Sequence, residues 1–212
     1  MAAAADSTPV AITLPGSDDY TWIAGSNASG IGTGATASIV ESLATAIDNA
    51  DLGGWYAGTG QAYGANDYGT DISISSSGTF SFKSRPALSG EYVALGVALP
   101  VAADSITLSF DTTNKLGYSV WSYNGTTATE LIGLTYQGNA GSVSQTYDTG
   151  TVNASQLFVL WTANHPTGNA GGGTTVTVSN IALSYTPAVP EPATATLSLL
   201  ALAGLAARRR RK

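Results

Sequence analysis

Apolar side chains recur in short runs along most of this chain, and this pattern limits its folds more than any other feature. Each run alternates apolar with polar residues or is continuously apolar, and each is bounded by Gly, Asn or Asp, as is typical of β-strands. We therefore predict about ten strands. They are Val10–Leu14, Asp71–Ser76, Thr79–Lys83, Glu91–Leu99, Ser105–Asp111, Gly117–Tyr123, Glu130–Tyr136, Ser142–Tyr147, Gln156–Thr162 and Thr174–Tyr185.

One segment, Ser38–Asn49, has helical spacing instead, because its large apolar side chains recur every three or four residues. Two dipeptides predict tight turns between strands. Asn124-Gly125 favours a hairpin turn after the run that ends at Tyr123, and Ser77-Gly78 favours another between Ile74 and Phe80.

Many short strands with a single helix predict an all-β fold over residues 1–185. About ten strands suit an antiparallel β-sandwich of the jelly-roll type better than a seven-stranded immunoglobulin fold. The last run, Thr174–Tyr185, resembles the closing strand of concanavalin-A-like and carbohydrate-binding jelly rolls. Residues 186–192 are rich in proline and predict an extended linker.

Charge and cysteine content exclude several classes of function. The segment from Glu191 onward holds five of the eight basic residues but one of the 14 acidic ones, so the preceding residues carry a formal charge of −10. Such an acidic domain is a poor partner for nucleic acid. The absence of cysteine excludes disulfides, thiol nucleophiles and thiolate zinc sites.

Aromatic residues give the main indication of ligand binding. Trp55, Tyr56, Tyr63 and Tyr68 lie among Gly and Asn residues, which predicts a loop-borne surface cluster suited to stacking against polysaccharide. The alternative, which we favour, is that these side chains fill the open end of the sandwich. On the Gly117–Tyr123 strand, Tyr118 points to one face, whereas Trp121 and Tyr123 point to the other. At least one of these two faces therefore belongs to the core.

No set of residues predicts catalysis, so we expect a protein that is not an enzyme, and a glycoside hydrolase is the less favoured alternative. His165 is the single histidine and precedes a proline in a loop. The closely spaced acids, Asp18 with Asp19 and Asp67 with Asp71, occur in turn-like sequence, where Asp bonds the local backbone. We predict no cofactor, although the oxygen-rich segment 66–71 is a candidate for structural calcium.

The C-terminal segment joins an extended motif to an apolar run and a basic cluster. Val189-Pro190-Glu191-Pro192 resists regular structure, because proline fixes φ and lacks an N–H donor. The 15 residues from Ala193 to Ala207 would span about 22 Å as a helix, against about 30 Å of bilayer hydrocarbon. Snorkelling side chains and local bilayer thinning can absorb this difference, so residues 193–212 predict a transmembrane helix with a cytoplasmic basic end.

This tail resembles the PEP-CTERM sorting signal of exported Gram-negative bacterial proteins, also catalogued as the ice-binding protein C-terminal domain. The matching residues are Val189, Pro190, Glu191 and Pro192, the Leu/Ala helix with Gly204, and Arg208, Arg209, Arg210 and Arg211. The resemblance implies removal of the tail by an exosortase, a membrane enzyme. It also implies delivery from the inner membrane to the cell surface or extracellular polysaccharide matrix. Export implies a signal peptide as well, and the opening residues 1–6 lack its basic and apolar regions, which indicates a truncated start or a tail-anchored protein.

Overall fold

Twelve strands and one helix form in the residues that the structure describes. The structure is a computed structural model that describes residues 8–16, 21–23, 37–46, 54–58, 72–75, 78–83, 92–152, 155–162 and 174–188. The elements are β1 Val10–Ala11, β2 Thr21–Ile23, α1 Ala37–Ala46, β3 Gly54–Gly58, β4 Ser73–Ser75, β5 Thr79–Lys83, β6 Tyr92–Ala98, β7 Ala103–Thr112, β8 Leu116–Tyr123, β9 Ala128–Gln137, β10 Gly141–Val152, β11 Gln156–Thr162 and β12 Thr175–Pro187.

The strands form two six-stranded sheets. In sheet A the order is β10-β7-β12-β5-β4, and β1 pairs with the far end of β12. In sheet B the order is β2-β3-β6-β11-β8-β9. The pairings are antiparallel except for β2 with β3, which are parallel. The predicted all-β, antiparallel architecture is therefore confirmed, while the jelly-roll assignment stays a prediction.

A core of aromatic and aliphatic side chains fills the space between the two sheets. Phe80 and Phe110 enter it from sheet A, and Trp55, Tyr118 and Trp161 enter it from sheet B. The Trp161 ring lies 5.1 Å from that of Phe80 and 6.0 Å from that of Phe110, measured between centroids. These distances are typical of packed aromatic pairs, so one continuous apolar layer joins the sheets.

Each predicted strand is present, with bounds that differ at several ends. Two further strands, β2 and β3, were not predicted, because β2 has three residues and β3 is a Gly-bounded pentapeptide that reads as a loop. The strand β12 continues to Pro187. Residues 186 and 187 therefore belong to sheet A rather than to the predicted linker.

Both predicted turns form around glycines with positive φ. Gly125 has a φ of 95° and Gly78 one of 69°, which are conformations that side chains with a Cβ rarely adopt. The Asn124 Oδ1 accepts hydrogen bonds from the backbone N–H groups of Thr126 and Thr127, at 3.0 and 2.8 Å. This turn joins β8 to β9 and fixes the edge of sheet B.

Candidate functional site

The strand β3 carries two of the four aromatic residues that were predicted to form a surface cluster. Trp55 is 2% exposed and Tyr56 is 4% exposed, so their predicted position on a surface loop is wrong. The physical reason is the strand itself, which directs successive side chains to opposite faces, both of which are covered. Tyr63 and Tyr68 lie outside the described residues, and their role in binding stays a prediction.

Trp55 belongs to the core between the sheets. Its ring stacks against Trp161 at a centroid distance of 6.5 Å, and its Nε1 donates to the carbonyl of Pro15 at 3.1 Å. The indole therefore buries its apolar surface and satisfies its one polar group. This arrangement agrees with the alternative role in the core.

Tyr56 lies on the outer face of sheet B, beneath α1. A second apolar cluster forms there between Ile39, Val40 and Leu43 of the helix and the sheet residues Tyr56, Tyr92, Trp121, Phe158 and Leu160. Burial raises the pKa of Tyr56 to about 12 and also raises the pKa of Tyr92. Both phenols therefore stay neutral far above neutral pH.

Two polar contacts complete the packing around the helix. The Trp121 Nε1 donates to Ser119 Oγ at 3.1 Å, and the backbone N of Ala128 donates to Glu41 Oε1 at 3.3 Å. Tyr118 and Trp121 are both buried, although they point to opposite faces of β8. Both faces of sheet B are thus packed, and the helix occupies the part of the outer face where these aromatic side chains lie.

A partly buried aromatic side chain lies on β9, opposite a glycine. A Cβ added to Gly117 would lie 3.2 Å from Tyr136 Cε1 and 3.0 Å from Leu134 Cδ1, so both side chains rest directly against this residue. Burial raises the pKa of Tyr136. This pair was not predicted from the sequence. The available signal was a glycine inside an apolar strand, which often marks a close approach of another group.

The outer face of sheet A is lined with small hydroxyl side chains. They alternate with core residues on the long strands and comprise Ser73, Ser75, Ser81, Ser105, Thr107, Ser109, Ser142, Ser144, Thr146, Thr177, Ser179, Ser184 and Thr186. Thr107 and Thr146 share a hydrogen bond of 2.8 Å between their hydroxyls. The period-two Ser/Thr pattern was the sequence signal for this surface.

One carboxylate on this face, that of Asp111, is held by its neighbours. Hydrogen bonds from Ser142 and Asn180 lower the pKa of Asp111, and the Asn180 Nδ2 lies 2.6 Å from Asp111 Oδ2. Asn180 has a φ of 54° at a shift in the register of β12. The carboxylate therefore stabilises an irregular strand.

Several predicted features lie outside the described residues. They are His165, the acids at 18, 19, 67 and 71, the candidate calcium segment 66–71, and the tail 189–212. Among the described residues, no group of three His, Cys, Asp or Glu side chains is placed to bind a metal ion. Within the same ranges, no helix has the length and apolar character needed to cross a bilayer.

Several solved structures are similar to this chain, and two of them are described as cellulose-binding or sugar-binding proteins. The N-terminal cellulose-binding domain of Cellulomonas fimi β-1,4-glucanase C is 18% identical, has a TM-score of 0.42, and aligns over 65% of this chain and 97% of its own. A protein of Bacteroides thetaiotaomicron assigned to sugar binding is 10% identical, with a TM-score of 0.44 and coverage of 81% and 95%. No curated protein sequence matches the chain significantly.

The C-terminal segment matches a protein-family model. A family model described as the PEP-CTERM protein-sorting motif matches residues 188–212. The match begins one residue after the end of β12, so it covers the tail and none of the strands. The chain therefore carries a PEP-CTERM protein-sorting motif at the end of its two-sheet β domain.

Proposed function

We propose that this chain is an exported, non-enzymatic β-sandwich protein of the jelly-roll type. Its C-terminal segment holds it in the inner membrane for a time, and an exosortase-type enzyme then processes it for delivery to the cell surface or extracellular polysaccharide matrix. The observation that carries this proposal is the match of residues 188–212 to the sorting motif. The acidic, cysteine-free body fits export through a route that needs no disulfide formation.

The position of the motif supports removal of the tail without damage to the fold. Ala188 is the last described residue, and its backbone N donates to the carbonyl of Ala102 at 2.9 Å. The strand β12 before it pairs with β7 over most of its length and with β5 and β1 on its other side. Cleavage after Ala188 would therefore leave every described strand in place.

Two described acidic side chains support the non-enzymatic part of the proposal, because they bind neighbouring groups of the fold. Asp111 accepts a hydrogen bond from Asn180, and Glu41 accepts one from the backbone of β9. A general acid or base needs instead to reach a substrate proton. These two carboxylates stabilise structure.

Fractionation of cells that express tail variants tests the sorting proposal. Deletion of residues 189–212 should remove the protein from the membrane and surface fractions. Replacement of Pro190, Glu191 and Pro192 by Ala should leave an unprocessed protein in the membrane, because the apolar run and basic cluster remain. The matched control is Thr194→Ala with Thr196→Ala, which changes the same segment and should leave processing unchanged. An unchanged location after the deletion would contradict the proposal.

Carbohydrate binding is a second candidate function, and the exposed part of Tyr136 favours it. The ring rests against Gly117 on the outer face of sheet B, and it is incompletely buried. A ring supported from beneath has little freedom to lose on binding, and aromatic rings with a polar edge suit stacking against sugars. Tyr63 and Tyr68 remain members of the separate ligand site that the sequence predicts.

A glycan array tests this second function. Tyr136→Ala should abolish retention of a bound glycan, whereas Tyr123→Ala should retain it, because Tyr123 lies on the same sheet face at the opposite end of β8. Tyr63→Ala and Tyr68→Ala test the prediction, made from the sequence, that these two tyrosines contact the glycan. Equal binding by the unmodified chain and by all three candidate-site variants would exclude a role for these residues, and no binding to any glycan would exclude the function.

A further inference from the structure

The strand β10 forms one edge of sheet A. It spans Gly141–Val152, 12 residues, and pairs with β7 along one side. Among the described strands, none pairs with its other side. Among the described residues, the backbone N–H and C=O groups that point away from β7 therefore form an open pairing edge.

The other described edges are protected, whereas β10 is not. The edge strands β1, β2 and β4 have two or three residues each. The strand β9 is long, but its register with β8 shifts twice around Val120, and such irregularities disfavour further pairing. By contrast, β10 keeps continuous register with β7 from Gly141 to Asp148. This stretch contains no Pro, no Lys and one charge, at its end.

We propose that β10 pairs antiparallel with β10 of a second copy of this chain, centred on Gln145. A symmetric pair of this kind places each residue opposite its counterpart on the other side of Gln145. Ser144 then faces Thr146, Val143 faces Tyr147, and Ser142 faces Asp148. The two A sheets join into one continuous twelve-stranded sheet.

The side chains match in this register. Val143 opposite Tyr147 is a β-branched residue paired with an aromatic one, which is a favourable cross-strand pair. Ser142 opposite Asp148 sets a small neutral side chain against the carboxylate, so no like charges lie directly opposite each other. The two Asp148 carboxylates lie six positions apart along the strand direction, about 20 Å, so they do not repel strongly.

Tyr147 is already held in position before pairing. Its hydroxyl lies 3.0 Å from that of Tyr118, across the core, and donates to Gln145 Oε1 at 2.7 Å. These bonds fix a partly buried ring at the open edge of β10. Pairing therefore orders few additional groups, and a preorganised edge binds at a lower entropic cost.

Disulfide trapping in the full chain, purified in mild detergent, tests this pairing, because the natural sequence has no cysteine. In the proposed register, two copies of Gln145→Cys face each other with Cα atoms about 4.5–5.5 Å apart, within disulfide range. Mild oxidation should give a covalent dimer. The control Thr129→Cys places an equally exposed thiol on the β9 edge and should give about tenfold less dimer, although both variants carry the same tail.

A charge swap tests the register. In the Gln145→Cys background, Ser144→Lys with Thr146→Lys sets like charges opposite each other and should reduce the covalent dimer about tenfold. Ser144→Glu with Thr146→Lys sets opposite charges there and should restore it. Equal trapping of Gln145→Cys and Thr129→Cys would overturn the pairing, and equal trapping of the two charge variants would overturn the register.

Discussion

The inner strands of sheet B are buried on both faces, whereas the outer face of sheet A is partly exposed to solvent. All seven side chains of β11 in sheet B are buried. In sheet A, β7 alternates buried Ile106, Leu108 and Phe110 with partly exposed Ser105, Thr107 and Ser109. The helix α1 accounts for part of the difference, because it packs on the outer face of sheet B.

This difference shows where ligands and partners can approach. An apolar, aromatic outer face needs a cover, and α1 supplies one with Ile39, Val40 and Leu43. A hydroxyl-lined face needs none, because water satisfies it. Accessible surface therefore lies on sheet A and its edge, and on sheet B it includes β9, where Tyr136 is partly exposed.

The largest expected effect comes from the core that both sheets share. Trp161→Ala should lower the free energy of unfolding by about 3–5 kcal/mol, because it leaves a large cavity beside Phe80 and Phe110. Trp161→Phe should cost much less, because the buried Nε1 has no hydrogen-bond partner among the described residues. Chemical denaturation measures both variants, and equal losses would contradict this account of the core.

The second largest effect on stability is expected for α1, the helix that covers part of the outer face of sheet B. Leu43 is fully buried against the outer face, so Leu43→Ala should lower the free energy of unfolding by about 2–4 kcal/mol. The control on the same helix, Glu41→Gln, keeps a carbonyl that can accept the bond from Ala128 and should cost less than about 1 kcal/mol. If both variants unfold at the same denaturant concentration, α1 is not an essential cover.

The strand pattern was predictable because it is local. Alternating Ser/Thr and apolar residues in β7, and the continuous apolar run of β11, each require a strand with particular faces buried. The strand β3 was missed because Gly54 and Gly58 bound it and three residues carry no clear period. Its position depends on pairing with β6, a contact distant in sequence.

The candidate sites were less predictable for the same physical reason. Trp55 and Tyr56 have the composition of a binding loop, and only the packing of Trp161 and α1 shows that they are buried. The support of Tyr136 by Gly117 depends on the register between β8 and β9, which single residues do not encode. The sorting motif was predictable because its meaning lies in contiguous residues and needs no tertiary contact.

The buried phenol of Tyr56 gives a smaller effect that appears at alkaline pH. Its pKa is raised from 10.0 to about 12 in the folded chain, so the unfolded chain releases this proton first. Stability is therefore full below pH 10 and falls as the pH rises from about 10 towards about 12. Tyr56→Phe should lose less stability over this interval, measured by urea unfolding at fixed pH values. If the stability of the unmodified chain and that of Tyr56→Phe fall in parallel with pH, the Tyr56 phenol is open to water on the outer face of sheet B.

The smallest effect is expected on the open face of sheet A. Thr107→Val keeps the shape of the side chain and removes the hydroxyl that bonds Thr146. Because both side chains are open to water, solvent replaces the lost bond, and the free energy of unfolding should change by less than about 0.5 kcal/mol. Ser119→Ala is the matched test on sheet B, where the buried hydroxyl accepts from Trp121. It should cost about 1–3 kcal/mol, because it leaves a buried indole N–H without a partner. If Thr107→Val and Ser119→Ala lower the free energy of unfolding equally, the outer face of sheet A is no more hydrated than that of sheet B.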